Sequence, residues 1–345
     1  MKKLLLVTAV SASAFLSACG GGASTPAITP PLVVTPPPVV VTPPPNVVPA
    51  NLQLTVPQPS YSLGSPELQA FTELNTIRQG AGLGLLAQNS RQDMASFNHA
   101  SFIANNFFTN SAVFSHNQIA GLPGFTGLTP SDRAVFTGYG PLVGEELTQN
   151  VPPINGVAQL TPVMTLLNSV YHRSGLLDQC YRDVGIGQST KINQAGNPFT
   201  PFVILLGYQS GCQTNASDFV MHYPLSGQVN VPLFMGAETP NPLPNLPLVN
   251  GSPDFSKTTS PISVTSTNGT TLTLTSIVVT AEGSTFQIPM NVITAQNDPN
   301  PQLARTNSIY FIGNAPFQSK TTYNVAFSGT VNGQNISQNW SFKTQ

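Results

Sequence analysis

The sequence predicts an α+β protein in which helices surround a few buried strands, followed by an all-β sandwich. Three observations predict this class. Apolar residues recur at helical spacing after Ser65, Ser90 and Thr161. The continuous apolar run 202–208 is typical of a strand that is covered on both faces. Beyond residue 256, apolar residues alternate with polar ones, which is the period of half-buried strands.

The composition indicates an exported protein. The chain has 345 residues, of which 40% are apolar, enough for one or two hydrophobic cores. Only 7% are charged, against roughly 25% in an average soluble domain, and polarity comes instead from Asn, Gln, Ser and Thr. The net charge of -1 and the lack of a basic patch argue against nucleic acid as a partner.

Residues 1–18 are predicted to be a lipoprotein signal peptide. The apolar stretch 4–18 follows two lysines and is too short to span a membrane comfortably. It leads into Leu-Ser-Ala-Cys at 16–19, which resembles a bacterial lipobox, so Cys19 is predicted to carry a lipid anchor in a membrane. Gly20, where an Asp would favour the inner membrane, indicates the outer membrane, with the domains in the periplasm or at the cell surface. The alternative is a plain secretory signal with an incidental Cys.

The two remaining cysteines, Cys180 and Cys212, are an even pair in an oxidising compartment. We therefore expect one disulfide between them. Two unpaired thiols are the alternative.

Composition also sets the domain boundaries. Residues 19–62 are rich in proline and are predicted to be a semi-rigid tether. A first folded domain is expected over 63–221, a Pro-rich linker over 222–255 and a β-sandwich over 256–345.

The individual elements follow from local signals. Ser65 with Pro66 is a strong helix start, and a second helix opens at Ser90. A third helix is predicted from Thr161, with one apolar stripe that continues to Tyr171. In the last domain, Asn332-Gly333 predicts a hairpin with a type I′ turn.

Six short motifs occur in an order that resembles the CAP superfamily (cysteine-rich secretory proteins, antigen 5 and pathogenesis-related 1 proteins), in its bacterial SCP-like branch. They are Asn75-x-Ile77-Arg78; Asn105-Asn106 leading to Phe114-Ser115-His116; Gly124 to Gly127 with Asp132-Arg133-Ala134 and Gly138-Tyr139; Gly144-Glu145; Tyr171-His172-Arg173 with Leu176-Leu177; and Val184-Gly185-Ile186-Gly187. The resemblance covers roughly residues 65–213 and implies an α-β-α sandwich. The tail resembles bacterial Ig-like modules.

The resemblance implies a central cavity lined by His116, Glu145 and His172. In some family members such a cavity binds a divalent metal, so zinc or another divalent ion held by His116 and His172 is expected here. Two imidazoles with a carboxylate are a common ligand set for zinc. Glu146 stands where the family usually has Asn, and it is a further candidate for the cavity.

The other polar residues are predicted to be structural. We expect His99 to be a hydrogen-bonding residue of the second helix and His222 to be incidental in the linker. Arg173 and the pair Asp132-Arg133 are expected to form ion pairs that fix loops. Glu73, Arg78 and Asp93 are expected to lie on solvated helix faces or to act as caps.

The resemblance implies binding of a lipid, a sterol, another small ligand or an envelope component. The alternative is a metal-assisted hydrolase, with His116 and His172 as ligands and Glu145 as general base. The chain has no Gly-x-Ser-x-Gly and no His-Glu-x-x-His motif, which argues against the hydrolase hypothesis without excluding it. A third hypothesis is an adhesin that acts through the β-sandwich.

Overall fold

The computed structural model describes residues 48–153 and 159–345. The predicted signal peptide, Cys19 and the tether up to residue 47 lie outside the described residues. Residues 46–345 form one compact unit. In the described part of the chain, no helix is long and apolar enough to cross a membrane.

The described residues form short helices and mostly antiparallel strands, which confirms the predicted α+β class. The helices are α1 (Pro66–Gly80), α2 (Ser90–Asn106), α3 (Pro130–Phe136), α4 (Pro162–Leu167) and α5 (Tyr171–Leu176). The strands are β1 (Ala87–Gln88), β2 (Val143–Gln149), β3 (Asp183–Gln188), β4 (Lys191–Ile192), β5 (Pro198–Phe199), β6 (Pro201–Gly207), β7 (Val220–Tyr223), β8 (Leu248–Val249), β9 (Ser252–Pro253), β10 (Ile262–Ser266), β11 (Leu272–Ala281), β12 (Met290–Ile293), β13 (Ser308–Gly313), β14 (Thr322–Val331) and β15 (Gln334–Lys343).

The first sheet is the middle layer between two layers of helices. Its strand order is β1-β3-β6-β2, and β6 is antiparallel to both of its neighbours. Every residue of β6 is buried, which confirms the prediction for this apolar run. Phe202, Ile204 and Leu206 pack with α1, α4 and α5. Val203 and Leu205 pack on the other face with α2 and α3.

The Val-Gly-Ile-Gly sequence of β3 is explained by the close approach of α2. A Cβ atom on Gly185 would lie 2.1 Å from the carbonyl carbon of Gln92. A Cβ atom on Gly187 would lie 2.3 Å from the backbone nitrogen of Phe97. Both distances are far below van der Waals contact, so only glycine fits between this strand and the helix.

The disulfide between Cys180 and Cys212 is present, as predicted. Its two residues lie 32 positions apart, and β3 to β6 lie between them. Beside it, the backbone N–H of Gln213 donates to the carbonyl of Cys180 over 3.0 Å. The covalent bond therefore ties together the two ends of the segment that forms half of the central sheet.

The third predicted helix is wrong in one respect, because it is broken into α4 and α5. Asn168, in the break, donates from Nδ2 to the carbonyl of Phe234 (2.8 Å) and accepts at Oδ1 from the hydroxyl of Ser260 (2.6 Å). The carboxylate of Glu238 then caps the start of α5. The apolar stripe in the sequence is real, but contacts from distant segments end one helix and begin another.

Residues 48–62, predicted as the last part of the tether, lie against the folded body. Asn51 forms a β-bridge with Thr214. The side-chain amide of Gln53 donates to two backbone carbonyls of the domain, over 3.1 and 3.0 Å. Tyr61 packs against the main core. The predicted semi-rigid tether therefore does not extend over residues 48–62, which are part of the folded body.

The second half of the chain consists of two antiparallel sheets over a shared core. Their strand orders are β12-β13-β10-β7 and β11-β14-β15. Large aromatic side chains, including Phe311, Phe327 and Trp340, fill the core. Asn332 and Gly333 have φ values of 48° and 81° between β14 and β15, as the predicted type I′ hairpin requires.

Strand β7 lies across the predicted boundary at residue 221. It pairs with β10, so the predicted linker begins inside a sheet of the second half. Asp178 and Arg305 form an ion pair of 2.6 Å between the two halves, and the side chain of Gln179 donates to the carbonyl of Ser266 over 2.8 Å. The two halves are thus joined by polar contacts as well as by the chain.

Two arginines were predicted wrongly. Arg78 is fully buried, and its guanidinium donates to three backbone carbonyls instead of facing water. Arg173 makes no ion pair among the described residues; it donates to the carbonyls of Leu167 (2.7 Å) and Pro261 (2.8 Å) and lies over the ring of Tyr223. Burial lowers the pKa of each guanidinium to about 10. Both side chains therefore donate to backbone carbonyls inside the protein.

Candidate functional site

Strand β2 carries both predicted acidic residues, Glu145 and Glu146, and successive side chains of a strand point to opposite faces. Glu145 faces α2 and α3, where His116 and Arg133 contact its carboxylate. Glu146 faces α5, and its Oε1 lies directly against Gly175, where a Cβ atom would be only 1.6 Å away. The two carboxylates are therefore in different layers of the protein.

His116, Glu145 and Arg133 form one hydrogen-bonded group. His116 Nδ1 lies 3.1 Å from Glu145 Oε1, and Arg133 Nη2 lies 2.6 Å from Glu145 Oε2. Arg133 also donates to the carbonyl of His116 over 3.0 Å. The side chains of Glu145 and Arg133 are each 1% exposed, whereas that of His116 is 48% exposed. A buried ion pair thus orients a surface imidazole, and the Nδ1 contact leaves Nε2 for a ligand.

Glu145 is held in its ionised form. Burial by itself raises the pKa of this carboxyl, but attraction to His99, the hydrogen bond from His116 and the charge of Arg133 outweigh burial and lower the pKa below its ordinary value. Burial lowers the pKa of His99 to about 4, so His99 is neutral at neutral pH. The positive charge that balances Glu145 there is therefore that of Arg133.

His99 lies fully buried beneath this group. Its Nε2 is 3.0 Å from the carbonyl of Ser115 and 3.5 Å from Glu145 Oε1. Its Nδ1 is 3.3 Å from the side-chain amide of Gln118. A neutral tautomer that donates from Nε2 and accepts at Nδ1 satisfies these contacts. They fit the structural role that was predicted for His99.

The loop after His116 is held by buried polar side chains. The backbone N–H of Gln118 donates to the carbonyl of Leu128 over 2.9 Å, and its Oε1 accepts from the N–H of Thr126 over 2.8 Å. From below, the side chain of Asn106 donates to a carbonyl of the same loop over 3.0 Å. The loop is therefore closed and fixed at its base.

Helix α3 positions Arg133. Thr129 and Asp132 form a capping box, in which the Thr129 hydroxyl accepts from the N–H of Asp132 and the Asp132 carboxylate accepts from the N–H of Thr129. Asp132 was predicted to form an ion pair that fixes a loop; it caps the helix instead. The next residue, Arg133, then points into the core against Glu145.

Apolar side chains are exposed on the loop that carries His116 and on α3. We give the name apolar loop surface to five of them, four in the loop and one at the last residue of α3: Phe114, Ile119, Phe125, Leu128 and Phe136. Phe114 belongs to an aromatic cluster, with its ring 5.7 Å from that of Phe199. The same loop thus carries a half-exposed imidazole and several exposed apolar side chains.

His172 belongs to a second group, on the other side of the sheet. Its Nδ1 lies 3.1 Å from Glu238 Oε1 and 3.1 Å from the hydroxyl of Ser169. Glu238 also accepts from the backbone N–H groups of Val170, Tyr171 and His172, at 2.8, 2.6 and 3.1 Å. The Glu238 side chain is fully buried, and that of His172 is 17% exposed. The carboxylate of Glu238, from a distant segment, therefore fixes His172 at the start of α5.

Glu238 was not predicted as a site residue, because it lies in an irregular Pro-rich segment. Its isolation from other charged residues is the one signal in the sequence that could have indicated its role. Glu238 is the only Asp, Glu, Lys or Arg between Asp218 and Asp254. A lone charged residue in a long uncharged segment is a candidate for a buried, fully bonded role.

Glu146 lies on the side of the sheet that carries α5, near Glu238. Burial raises the pKa of Glu146 well above its ordinary value, and the negative charges of Glu238 and Glu145 raise it further, while Arg305 opposes them. Glu146 was predicted as an additional member of the cavity with His116; the structure places it on the opposite face.

The predicted metal ligands are not brought together. His116 contacts Glu145 on one face of the sheet, and His172 contacts Glu238 on the other. Across residues 48–153 and 159–345, no group of three or more His, Cys, Asp or Glu residues is arranged to hold a metal ion. A single zinc site that uses both histidines does not fit this arrangement.

His222 lies in β7, in a sheet and not in a linker. Its ring stacks on that of Trp340 with the centroids 4.2 Å apart. Burial lowers its pKa. The half-buried His222 therefore packs against the core of the second half through Trp340.

Comparisons with known proteins give no identification. A scan against models of protein families found no match, and a search of curated proteins found none either.

Proposed function

We propose that this chain is a lipid-anchored, extracytoplasmic protein of the CAP superfamily with an Ig-like C-terminal domain, and that it binds a lipid or similar amphiphile at His116. The observation that carries the proposal is the half-exposed imidazole of His116, which the buried pair Glu145–Arg133 orients on a loop with several exposed apolar side chains. The predicted acylation of Cys19 would hold the protein where such ligands are found.

The architecture supports the family assignment. Helices lie on both faces of a four-stranded sheet, as the resemblance implies. Two of its motifs have structural reasons, since Gly185 and Gly187 admit α2 and the Gly144-Glu145 motif places a carboxylate beneath His116. Two antiparallel sheets over one core support the Ig-like assignment of the second half.

The chemistry of the site suits a ligand with a small polar end and an apolar body. The Nε2 atom of His116 can donate or accept a hydrogen bond, depending on protonation. Phe114 and the rest of the apolar loop surface can contact a hydrocarbon body, which is favourable by roughly 25 cal/mol per Å² removed from water. Glu145 and Arg133 are already paired with each other and buried, so neither is free to pair with a ligand.

The test is a titration of residues 46–345 with a short-chain phosphatidylcholine below its micelle concentration, followed by NMR of the imidazole signals. We expect the His116 signals to move in a saturable way, while those of His222, stacked on Trp340, stay in place. His116→Ala should abolish binding, and the matched control His172→Ala should retain it. Unmoved His116 signals, or equal loss in both variants, would refute the proposal.

A hydrolytic role is the second candidate, because one observation favours it. A carboxylate bonded to Nδ1 of a histidine is the arrangement that orients an imidazole as a general base. Here Glu145 would orient His116, and His116, not the buried and paired Glu145, would accept the proton. Turnover of p-nitrophenyl butyrate that falls to the buffer rate in His116→Ala but not in His172→Ala would support this candidate over simple binding.

A further inference from the structure

We propose that the apolar loop surface docks onto a lipid bilayer, so that His116 lies at the level of the lipid head groups. The proposal rests on the proposed function, from which it takes the acylated Cys19 and the ligand site at His116. It adds the source of the ligand, which would enter from the membrane and not from solution.

The apolar side chains are held outward by a fixed backbone. Phe125 and Leu128 are 39% and 51% exposed. The loop that carries them is closed by the hydrogen bonds of Gln118 and is tied to α2 through Asn106, and both of these side chains are buried. The guanidinium of Arg133 also donates to the carbonyl of Leu128. Because this backbone is fixed, the side chains cannot simply fold back onto the core.

The apolar loop surface lies on the side of the sheet that does not contact the second half. Layer α4–α5 makes those contacts, through Asn168 to Ser260 and Tyr171 to Asp298. The layer of α2 and α3 is on the opposite face of the sheet. The contacts with the second half therefore lie on the helix layer opposite to the one that carries the apolar loop surface.

The charge distribution favours a bilayer as the partner of this surface. Residues 94–131 contain no Asp, Glu, Lys or Arg, a run of 38 residues that includes four of the five apolar side chains. Such a segment gains from leaving water and offers no charge to a polar protein surface. Only 28 residues lie between Cys19 and Val48, a length that spans at most roughly 100 Å when fully extended. An acylated Cys19 would thus keep a bilayer within reach.

The experiment is co-sedimentation of residues 46–345 with dioleoylphosphatidylcholine vesicles. We expect binding by the parent protein and at least about tenfold weaker binding by the double variant Phe125→Ser, Leu128→Ser, because two anchoring side chains are lost. The matched control is Leu248→Ser, Val249→Ser, which alters two exposed apolar residues of the second half. It should bind like the parent. Added phosphatidylglycerol should not strengthen binding, since residues 94–131 contain no Asp, Glu, Lys or Arg and the exposed carboxylate of Asp132 in α3 is itself negative.

Three results would overturn docking: no sedimentation of the parent protein, equal sedimentation of the loop variant, or a control that is weakened as much. If sedimentation velocity instead shows a dimer that the loop variant abolishes, a second copy covers this surface and the bilayer proposal is wrong. Thermal unfolding of each variant checks that it is folded. If docking fails while His116 still responds to soluble lipid, the proposed function survives without it.

Discussion

Glu145 and Glu146 are adjacent on β2, yet their carboxylates lie in different helix layers of the protein. Glu145 meets Arg133 at 2.6 Å and has a lowered pKa. Glu146 lies against Gly175 of α5, near a second carboxylate, and its pKa is raised well above the ordinary value. One dipeptide thus supplies one carboxyl group that favours the ionised form and one that favours the neutral form.

Glu146→Gln should stabilise the protein at neutral pH and above. A carboxyl whose pKa is raised in the folded state contributes stability below its unfolded pKa, near 4.5, and that stability is lost as pH rises through the folded pKa. Glutamine keeps the neutral shape and does not ionise. We expect a gain in the free energy of unfolding at pH 8 of the size usual for a single substitution, about 0.5–3 kcal/mol, and no gain at pH 4, by urea denaturation.

Glu282→Gln is the matched control for this change, because Glu282 is exposed on the second half. It should alter stability by less than about 0.5 kcal/mol at either pH. An equal gain at pH 4 and pH 8 for Glu146→Gln would mean that ionisation of Glu146 is not what costs stability.

The two predicted metal ligands, His116 and His172, should act independently. They contact different carboxylates on opposite faces of the sheet, so zinc bound at one should not depend on the other. We expect that, in calorimetric zinc titrations of residues 46–345, each stoichiometric binding event is lost in only one of the two single variants, either His116→Ala or His172→Ala. Loss of one binding event in both single variants would show that the two imidazoles share an ion.

Local signals in the sequence were enough for much of the fold. Ser65 does cap α1, accepting from the N–H of Leu68 over 3.1 Å. The buried run that became β6 and the Asn332-Gly333 turn were also predicted correctly. These features depend on neighbouring residues only. The break between α4 and α5 could not be predicted, because it depends on Glu238, which is 67 residues away from Tyr171.

The site was harder to predict for a similar reason. The sequence shows His116, Glu145 and His172 in order, but it does not show which face of the sheet each one occupies. Because successive side chains of a strand point to opposite faces, the sequence of β2 could have indicated that Glu145 and Glu146 lie on different faces of the sheet. Nothing local could have shown that Arg133 would pair with Glu145, or that His172 would turn to a carboxylate in the Pro-rich segment.

Glu238→Ala should destabilise the protein and release His172. The substitution leaves three backbone N–H groups at the start of α5 without their acceptor. We expect a loss of about 2–3 kcal/mol in the free energy of unfolding, together with a shift of the His172 imidazole signals in NMR. Glu282→Gln is again the control. Unchanged His172 signals would mean that Glu238 caps the helix without fixing the imidazole.

The ion pair between Arg133 and Glu145 should show strong coupling in a double-mutant cycle. Arg133→Met leaves the Glu145 carboxylate buried without its countercharge, so we expect it to cost about 3–5 kcal/mol. Glu145→Gln in the same chain removes the unpaired charge and should recover part of that loss. Urea denaturation of the parent, both single variants and the double variant measures the coupling.

The pH dependence of the same cycle gives an independent check. Because the pKa of Glu145 is lowered in the folded state from the ordinary value of 4.5, its contribution to stability is present above that value and is lost as pH falls through the folded pKa. The cost of Arg133→Met should therefore be largest at neutral pH and should shrink as pH falls through this lowered pKa, where the carboxyl takes up a proton. A cost that stays constant from pH 7 to pH 3 would show that Arg133 stabilises the protein through its carbonyl contacts to His116 and Leu128 and not through Glu145.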